Sequence, residues 1–238
     1  MVAKLEYSAQ ALAKSEREGA WREMAQQVAH EIKNPLTPMK LSIQYLQKAI
    51  DNNQDNVKDL ASRVTDTLVE QIDHLSKIAA DFAQFANIGN TKMERIDLHE
   101  VIDSLKDLYK TNPDISISWK PVQRNSMVMA DRTQMNRLFT NLLSNAADAC
   151  DGKDNCRIEI TETRANGQVQ INITDNGEGI PPDMQHKIFT PNFTTKSSGT
   201  GLGLAMCKSI VEQAHGHIWF ETEQGKGTTF HVVLPVAN

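Results

Sequence analysis

The hydrophobic positions in the first third of the chain recur at a helical period, in two successive stripes. The first stripe consists of Trp21, Met24, Val28, Ile32, Leu36, Met39, Ile43, Leu46 and Ile50. After a polar break at residues 51–56, the second stripe consists of Val57, Leu60, Val64, Leu68, Ile72, Leu75, Ile78, Phe82 and Phe85. Steps of three and four predict two long amphipathic helices joined by a short turn, which is a helical hairpin.

A single hairpin of this size has too little core to be stable alone, because small domains bury a small fraction of their surface. Two copies that bury both stripes in a four-helix bundle would complete the core, so we predict a homodimer. Residues 1–20 are more polar and are predicted to extend the first helix as a helical or coiled-coil lead-in. The hairpin domain is therefore assigned to residues 21–88, with a linker at 89–95.

Residues 96–238 have a different pattern, in which predicted strands and helices alternate. Segments rich in β-formers lie at 116–119, 157–161, 169–174, 217–220 and 230–234, and helical spacing occurs at 100–109, 132–149 and 204–214. This order predicts a second domain with helices layered on a sheet. The fold class of the whole chain is therefore α+β: an N-terminal hairpin that dimerises into a four-helix bundle, followed by an α/β sandwich.

The composition narrows the function classes. Among 238 residues, 39% are hydrophobic and 23% are charged, as in an ordinary globular protein, and the net charge of −5 gives no reason to expect nucleic-acid binding. No apolar run reaches the roughly 20 residues that span a membrane, and the N-terminus lacks a signal peptide, so we expect a cytoplasmic location. The sequence leaves open whether this chain is a fragment of a membrane-bound protein. The three cysteines lack paired spacing and are expected to be reduced.

A histidine, a carboxylate and an amide fall within one turn of the first predicted helix, as His30, Glu31 and Asn34, just before Pro35. His30 lies two positions past Val28, so it is predicted to point away from the hairpin core. A neutral imidazole is a good nucleophile near pH 7, and a neighbouring carboxylate can assist proton movement. For an isolated histidine, a solvated helix surface would be the favoured interpretation. A zinc protease is excluded because Asn34 occupies the place of its second histidine.

Three downstream motifs are typical of a nucleotide pocket. In the predicted strand 169–174, apolar residues alternate so that Asp175 falls on the inward face, where a carboxylate needs a hydrogen-bond donor such as an adenine amino group. Gly177 and Gly179 follow, although Asp-Asn-Gly is also common turn chemistry. A glycine-rich stretch then precedes a helix and could bind phosphate through its backbone amides; its glycines are Gly199, Gly201 and Gly203.

The third motif is a pair of amides, Asn141 and Asn145, four residues apart at the edge of a helical stripe. Amide oxygens suit Mg²⁺, which takes few protein ligands, although polarity at a helix flank gives the same pattern. Residues 181–198 have the composition of a mobile lid, with Phe189, Phe193 and Lys196, whose ammonium group could meet a phosphate.

In this order, the motifs resemble those of bacterial two-component sensor histidine kinases. The segment at His30 resembles the H-box of that family, Asn141 to Asn145 its N-box, and Asp175 to Gly179 its G1 box. Phe189 to Phe193 resemble the F-box and Gly199 to Gly203 the G2 box. The stretch at Thr228 resembles the one that closes the adenine pocket. The sequence around His30 is similar to that of nitrogen-regulation kinases.

The resemblance implies a dimerisation and phosphotransfer domain followed by a Bergerat-type ATP-binding sandwich. It implies that His30 accepts the γ-phosphoryl of ATP, that Glu31 serves as acid or base, and that Asn34 serves a phosphatase reaction. It also implies Mg²⁺ at Asn145, adenine at Asp175, and a receiver domain of a response regulator as partner. The remaining residues implied to contact ATP are Asn141, Gly177, Gly179, Phe189, Phe193, Lys196, Gly199, Gly201, Gly203 and Thr228.

Three alternatives remain at this point. An ATPase of the gyrase, chaperone or mismatch-repair type would share the ATP pocket but lack the helix with His30. A dimeric scaffold could bind ATP or a response regulator without phosphorylating itself. Finally, the chain could act mainly as a phosphatase on its partner.

Overall fold

The computed structural model describes residues 2–53, 56–86, 92–109, 114–122, 125–150, 153, 155–191, 193–196, 199 and 201–237; the side chains of residues 2–24, 26, 27, 81 and 84–86 are not described. The chain divides into two units: a helical unit of residues 1–86, with which residues 194–200 are grouped, and an α/β unit of residues 87–193 and 201–238. No helix within the described residues is both long enough and apolar enough to cross a membrane.

The helical unit is the predicted hairpin, with α1 at Val2–Asp51 and α2 at Val57–Ala86. Its turn falls in the polar break, where Asn53 adopts a positive φ of 48°. Near the turn, Ala49, Leu60 and Val64 are buried against each other. Helix α1 continues through both Pro35 and Pro38.

The two stripes of the hairpin are only partly covered within one chain. Several of their apolar side chains are exposed by a third to more than half of their surface: Ile32, Leu36, Ile43, Ile50 and Ile72. An apolar band of this length on a solvated helix pair is unfavourable unless a further surface covers it.

Among its described residues, the α/β unit contains seven strands and three α-helices. Its strands are β1 Glu94–Asp97, β2 Ile115–Lys120, β3 Met127–Ala130, β4 Cys156–Ala165, β5 Gln168–Asp175, β6 His217–Glu223 and β7 Gly227–Pro235. Its helices are α3 Leu98–Tyr109, α4 Arg132–Ala149 and α5 Gly203–Gln213. Five strands form one mixed sheet in the order β2-β4-β5-β7-β6, in which only β2 and β4 run parallel, while β1 and β3 form a separate antiparallel pair.

The three helices cover one face of the five-stranded sheet. Alternate residues of β5, namely Val169, Ile171, Ile173 and Asp175, are buried on that face, and the residues between them are partly exposed. The predicted parity of β5 is thus confirmed, and Asp175 lies on the inward side. This is the arrangement that places a carboxylate at the end of a buried strand.

Sequence patterns missed β1 and β3. Both strands are four residues long, which is too short for a period of two to be recognised, and only Ile96 is buried in β1. Because β1 begins at Glu94, the last two residues of the predicted linker 89–95 belong to a strand instead. Residues 87–91 lie outside the described residues, so the rest of that linker stays a prediction.

A buried polar network joins β4 to α3 at the end of β4 away from Asp175. The Glu162 carboxylate contacts His99 Nε2 at 2.9 Å, accepts from the Val122 backbone N–H at 3.0 Å and from Arg164 Nε at 3.2 Å, and also accepts from the Ser126 hydroxyl. Burial raises the pKa of Glu162, but the hydrogen bonds from Ser126, Val122 and His99 outweigh it and hold that pKa below its usual value. The network fixes α3 to the sheet.

Candidate functional site

The histidine of the H-box lies on the solvent side of α1. His30 and Asn34 are exposed, Glu31 is half-buried, and Val28 is buried, so the predicted orientation of His30 away from the hairpin core is confirmed. Residues four apart on a helix share a face, which places Asn34 one turn from the imidazole. The histidine is therefore accessible to a second molecule or domain.

The carboxylate at the end of β5 is the centre of the second group of candidate residues. Asp175 is 5% exposed, and its Oδ1 accepts hydrogen bonds from the Gly177 N–H at 2.8 Å and the Thr228 N–H at 3.2 Å. Among the described residues, no donor is paired with the second oxygen, Oδ2. A ligand that donates an N–H to Oδ2 would complete the hydrogen bonding of this buried carboxylate.

Burial raises the pKa of Asp175, and the hydrogen bonds from Gly177 and Thr228 and the charge of Lys153 offset this only partly. A donor on Oδ2 stabilises the ionised form, so such a ligand would lower this pKa and would bind less tightly as the pH falls through it.

Around Asp175, other backbone segments approach three positions so closely that a side chain larger than that of glycine would clash. A Cβ on Gly177 would lie 2.6 Å from the Ala149 carbonyl oxygen, and one on Gly227 would lie 2.0 Å from the carbonyl oxygen of Asp175 itself. A Cβ on Gly179, where φ is 71°, would lie 2.4 Å from the Glu223 carbonyl oxygen. The turn after β5 is therefore held between the end of α4 and the β6–β7 hairpin.

Helix α4 joins the glycine motifs into one site. At its C-terminal end, the Ala149 carbonyl accepts a 3.0 Å hydrogen bond from the Glu178 N–H, beside Gly177. Two turns earlier, the Asn141 side chain lies 3.8 Å from the position of a Cβ on Gly203, the first residue of α5. At a rise of 1.5 Å per residue, these two contacts lie about 12 Å apart along α4.

Asn145 lies midway between those contacts, one turn from each, and is half-buried. The described residues hold no cluster of three or more His, Cys, Asp or Glu side chains that would form a metal cage. A single neutral amide oxygen suits Mg²⁺, which keeps most of its waters and takes the rest of its ligands from phosphates. The donor set therefore fits a metal that arrives with a nucleotide.

Cys207 of α5 contacts α4 through its buried thiol. Its Sγ donates to the Leu138 carbonyl oxygen at 3.7 Å, and burial raises the pKa of that thiol to about 12. A thiol of this kind is inert near neutral pH. The contact between Cys207 and Leu138 thus joins α5 to α4.

The segment between the G1 and G2 boxes is anchored by an aromatic cluster. Phe189 packs edge-on against Phe220 and Phe230, with ring centroids 6.0 and 6.4 Å away. Further along, the Lys196 N–H donates to the Thr194 hydroxyl at 3.0 Å, and Phe193 is half-buried. Phe189 is therefore half-buried against these two rings, and its contact with a nucleotide stays a prediction.

The glycines of the G2 box stand in two different environments. A Cβ on Gly199 would lie 2.5 Å from the Thr194 hydroxyl, and Gly201 adopts a φ of 65° just before α5. Their role toward phosphate stays a prediction, as does that of Lys196, which is exposed and has contacts of its own.

Sequence reasoning missed three groups at this site. They are the Ala149 carbonyl, the Thr222 hydroxyl that accepts from the Ile180 N–H at 2.9 Å, and Lys153, which bonds to the G1 turn. A backbone carbonyl leaves no trace in the residue type. Lysine and threonine are too common on loops and strands to stand out in the sequence.

Two family models match the chain in succession. Residues 20–91 match the His Kinase A phospho-acceptor domain, and residues 130–238 match the ATPase domain shared by histidine kinases, DNA gyrase B and HSP90. The first match includes His30, Glu31 and Asn34. The second includes the amides of α4, the G1 and G2 boxes and Thr228.

Curated relatives give the same result along most of this chain. It is 29% identical over 94% of its length to nitrogen regulation protein NtrY of Azorhizobium caulinodans, and 30% identical over 94% to the histidine kinase AtoS of Escherichia coli. These alignments cover 30% and 36% of the two relatives. The chain therefore spans about a third of the length of either protein.

Solved structures agree with the sequence matches. The catalytic domain of histidine kinase ThkA is 31% identical and is covered to 97%, over 61% of this chain, with a TM-score of 0.56. Histidine kinase ThkA in its complex with the response regulator TrrA matches 94% of this chain and 64% of that chain, at 26% identity and a TM-score of 0.73. The chain belongs to the two-component sensor histidine kinases and carries the phospho-acceptor and ATP-binding domains of their catalytic core.

Proposed function

We propose that this chain transfers the γ-phosphoryl group of ATP to its own His30 and then passes it to an aspartate on a response regulator. One observation carries the proposal. The exposed His30 has a carboxylate and an amide within one helical turn. In the same chain, α4 connects the buried Asp175 carboxylate, one oxygen of which is hydrogen-bonded, to the glycine-rich start of α5.

The chemistry is an in-line displacement at phosphorus. The lone pair of one His30 ring nitrogen attacks the γ-phosphorus, and the bond from that phosphorus to the β,γ-bridging oxygen breaks, so that ADP leaves. The imidazole gains positive charge as the N–P bond forms, and the Glu31 carboxylate beside it is suited to take the proton from the other ring nitrogen. Positioning and charge neutralisation dominate such reactions.

The ATP-binding roles follow from the site around α4. Asp175 Oδ2 would accept from the adenine amino group, and the turn through Gly177 and Gly179 would lie against the base. Asn145 would hold Mg²⁺, which supplies charge neutralisation at the phosphates, with Asn141 beside it. The G2 glycines and the start of α5 would face the phosphates.

The source of the label tests this proposal. The chain is incubated with Mg²⁺ and ATP labelled either at the γ- or at the α-phosphate, and protein-bound label is measured after brief acid treatment. We expect label only from γ-labelled ATP, and we expect acid to release it, because the N–P bond of phosphohistidine is acid-labile. Stable label, or label from the α-phosphate, would contradict the proposal. ATP binding without any label would favour the silent scaffold.

Replacing Asn145 with alanine is expected to lower Mg²⁺-dependent phosphorylation by about 100-fold, because one metal ligand near the transferring phosphoryl is lost. Asn136→Ala, a replacement in the first half of the same helix, is the matched control and should leave the rate unchanged. The measurement is the initial rate of label incorporation at several Mg²⁺ concentrations. An Asn145→Ala rate equal to that of the control would remove Asn145 from the metal site.

The partners follow from both units. The apolar residues left exposed on α1 and α2 are best covered by a second copy of the hairpin, which would bury both stripes in a four-helix bundle. The solved complex of ThkA with the regulator TrrA supports the receiver domain of a response regulator as the second partner. A cytoplasmic location is consistent with three free cysteines and with the need for ATP.

A phosphatase activity on the regulator is proposed for the same helical turn. Asn34 lies one turn from His30 and is exposed, so its amide could hold a water next to a phosphoaspartate. We expect Asn34→Ala to slow the loss of phosphate from the phosphorylated receiver domain by about tenfold, the typical effect of one positioning hydrogen bond. His30 phosphorylation should persist in this variant. Equal dephosphorylation by variant and parent would assign that reaction elsewhere.

A further inference from the structure

Lys153 makes a two-point contact behind the G1 turn. It lies in the connection between α4 and β4, and its ammonium group donates to the carbonyl oxygens of Asn176 at 2.7 Å and Gly177 at 2.9 Å. These are the two residues that directly follow Asp175. A lysine side chain that satisfies two successive carbonyls holds the intervening peptide in one orientation.

The peptide held by Lys153 is also the one that orients the carboxylate. The Gly177 N–H donates to Asp175 Oδ1 at 2.8 Å, while the Asn176 carbonyl of the same peptide accepts from Lys153 at 2.7 Å. The Asn176 side chain fixes the same turn from the other side, because its oxygen accepts from the Arg157 N–H at 2.8 Å and its nitrogen donates to the Asn155 carbonyl at 2.8 Å. The free oxygen of Asp175 is thereby aimed in one direction.

Among the described residues, Lys153 is also the charged side chain that influences the ionisation of Asp175. Its positive charge opposes the effect of burial on the pKa of that carboxyl. The other titratable groups here are two thiols: Cys150 at the end of α4, which donates to the Asn176 side-chain oxygen at 3.4 Å, and Cys156 at the start of β4. Burial raises the pKa of Cys156 to about 12, so near neutral pH it adds no charge.

We propose that Lys153 is a positioning residue for ATP: its ammonium group holds the G1 turn, so that the Asp175 carboxylate is oriented to accept from the adenine amino group. This inference rests on the proposed function, in which Asp175 binds adenine. Lys153 does not touch the nucleotide. It acts through the two carbonyls and through its charge, and these two actions can be separated by experiment.

The test is calorimetric titration of the chain with Mg²⁺ and a non-hydrolysable ATP analogue between pH 5.5 and 8.5. Lys153→Met removes both the charge and the donors, and we expect about tenfold weaker binding at pH 7.5, the usual cost of losing hydrogen bonds to a charged group. We also expect the pH below which binding weakens to move upward, because the pKa of Asp175 rises without the neighbouring charge.

Two further variants separate the charge from the hydrogen bonds. Lys153→Arg keeps the charge and should restore the pH profile of the parent chain. Lys153→Gln keeps a donor but not the charge, so its profile should shift as that of Lys153→Met does. Lys208→Met, on the exposed side of α5, is the matched control and should not change binding.

The outcomes distinguish this inference from the proposed function. If Lys153→Met binds with the affinity and pH profile of the parent, the positioning role is wrong. If it weakens binding equally at every pH, the effect of the Lys153 charge on Asp175 is wrong. In the Asp175→Asn background, Lys153→Met should cause no shift in pH profile, since the titrating group is absent. If the parent chain does not bind the analogue, or if Asp175→Asn binds it normally, the proposed function fails instead.

Discussion

Replacing His30 with glutamine is expected to reduce protein-bound label from γ-labelled ATP to background. Glutamine matches the length of the histidine side chain but offers no nucleophilic ring nitrogen. His30 is exposed on the helical unit, whereas the candidate ATP site lies in the α/β unit, so affinity for a non-hydrolysable ATP analogue should stay unchanged. The measurement combines label incorporation with calorimetric binding of the analogue by the same preparation.

His74→Gln is the matched control for this experiment. His74 is a half-buried histidine on α2 of the same unit, so its replacement tests whether any histidine of the hairpin suffices. We expect this variant to retain labelling. Full labelling of His30→Gln, with or without loss in the control, would contradict the assignment of His30 as the acceptor.

The Asp175→Asn variant is expected to lose ATP affinity by about 100-fold or more. The replacement keeps the shape of the side chain, and its amide oxygen can still accept from the Gly177 and Thr228 N–H groups. The amide nitrogen then takes the place of Oδ2 and presents a donor to the adenine amino group. Two opposed donors in a buried site cost more than a missing hydrogen bond.

The same replacement should not destabilise the fold. Burial raises the pKa of Asp175, which means that the folded state disfavours the ionised carboxylate near neutral pH. A neutral amide removes this penalty, so the free energy of unfolding should be equal or higher. Chemical denaturation followed by tryptophan fluorescence measures this and separates lost binding from lost structure.

Nucleotide selectivity gives the sharpest readout of Asp175→Asn. Guanine carries a carbonyl oxygen where adenine carries the amino group, and the new amide could donate to it. The preference for an ATP analogue over a GTP analogue should therefore fall sharply. Asp183→Asn, on the exposed surface beyond the G1 box, is the control. An unchanged preference in Asp175→Asn would show that another group reads the base.

The elements with long periodic patterns could be predicted from sequence, and the short ones could not. The stripes of α1 and α2 span many turns, and the alternation in β5 placed Asp175 on the inward face, as observed. Strands β1 and β3 each offer four residues, and they form only because distant segments supply their partners in a two-stranded sheet. Such pairing is a tertiary effect that local spacing does not contain.

The site could be predicted where the chemistry demands a particular residue type. Glycines at close backbone approach and a carboxylate at the end of a buried strand leave a recognisable order along the chain. The groups that position these glycines and this carboxylate leave no such order in the sequence. Lys153 and the Ala149 carbonyl act through contacts made across loops, and any lysine or any peptide in that place would look the same in sequence.

Mapping the phosphorylated residue tests the central claim most directly. After incubation with Mg²⁺ and ATP, the chain is digested at neutral or alkaline pH, where phosphohistidine survives, and its peptides are sequenced by mass spectrometry. We predict one added phosphoryl group, on His30, and none on the other six histidines. A phosphoryl group on another residue, with His30 unmodified, would contradict the account.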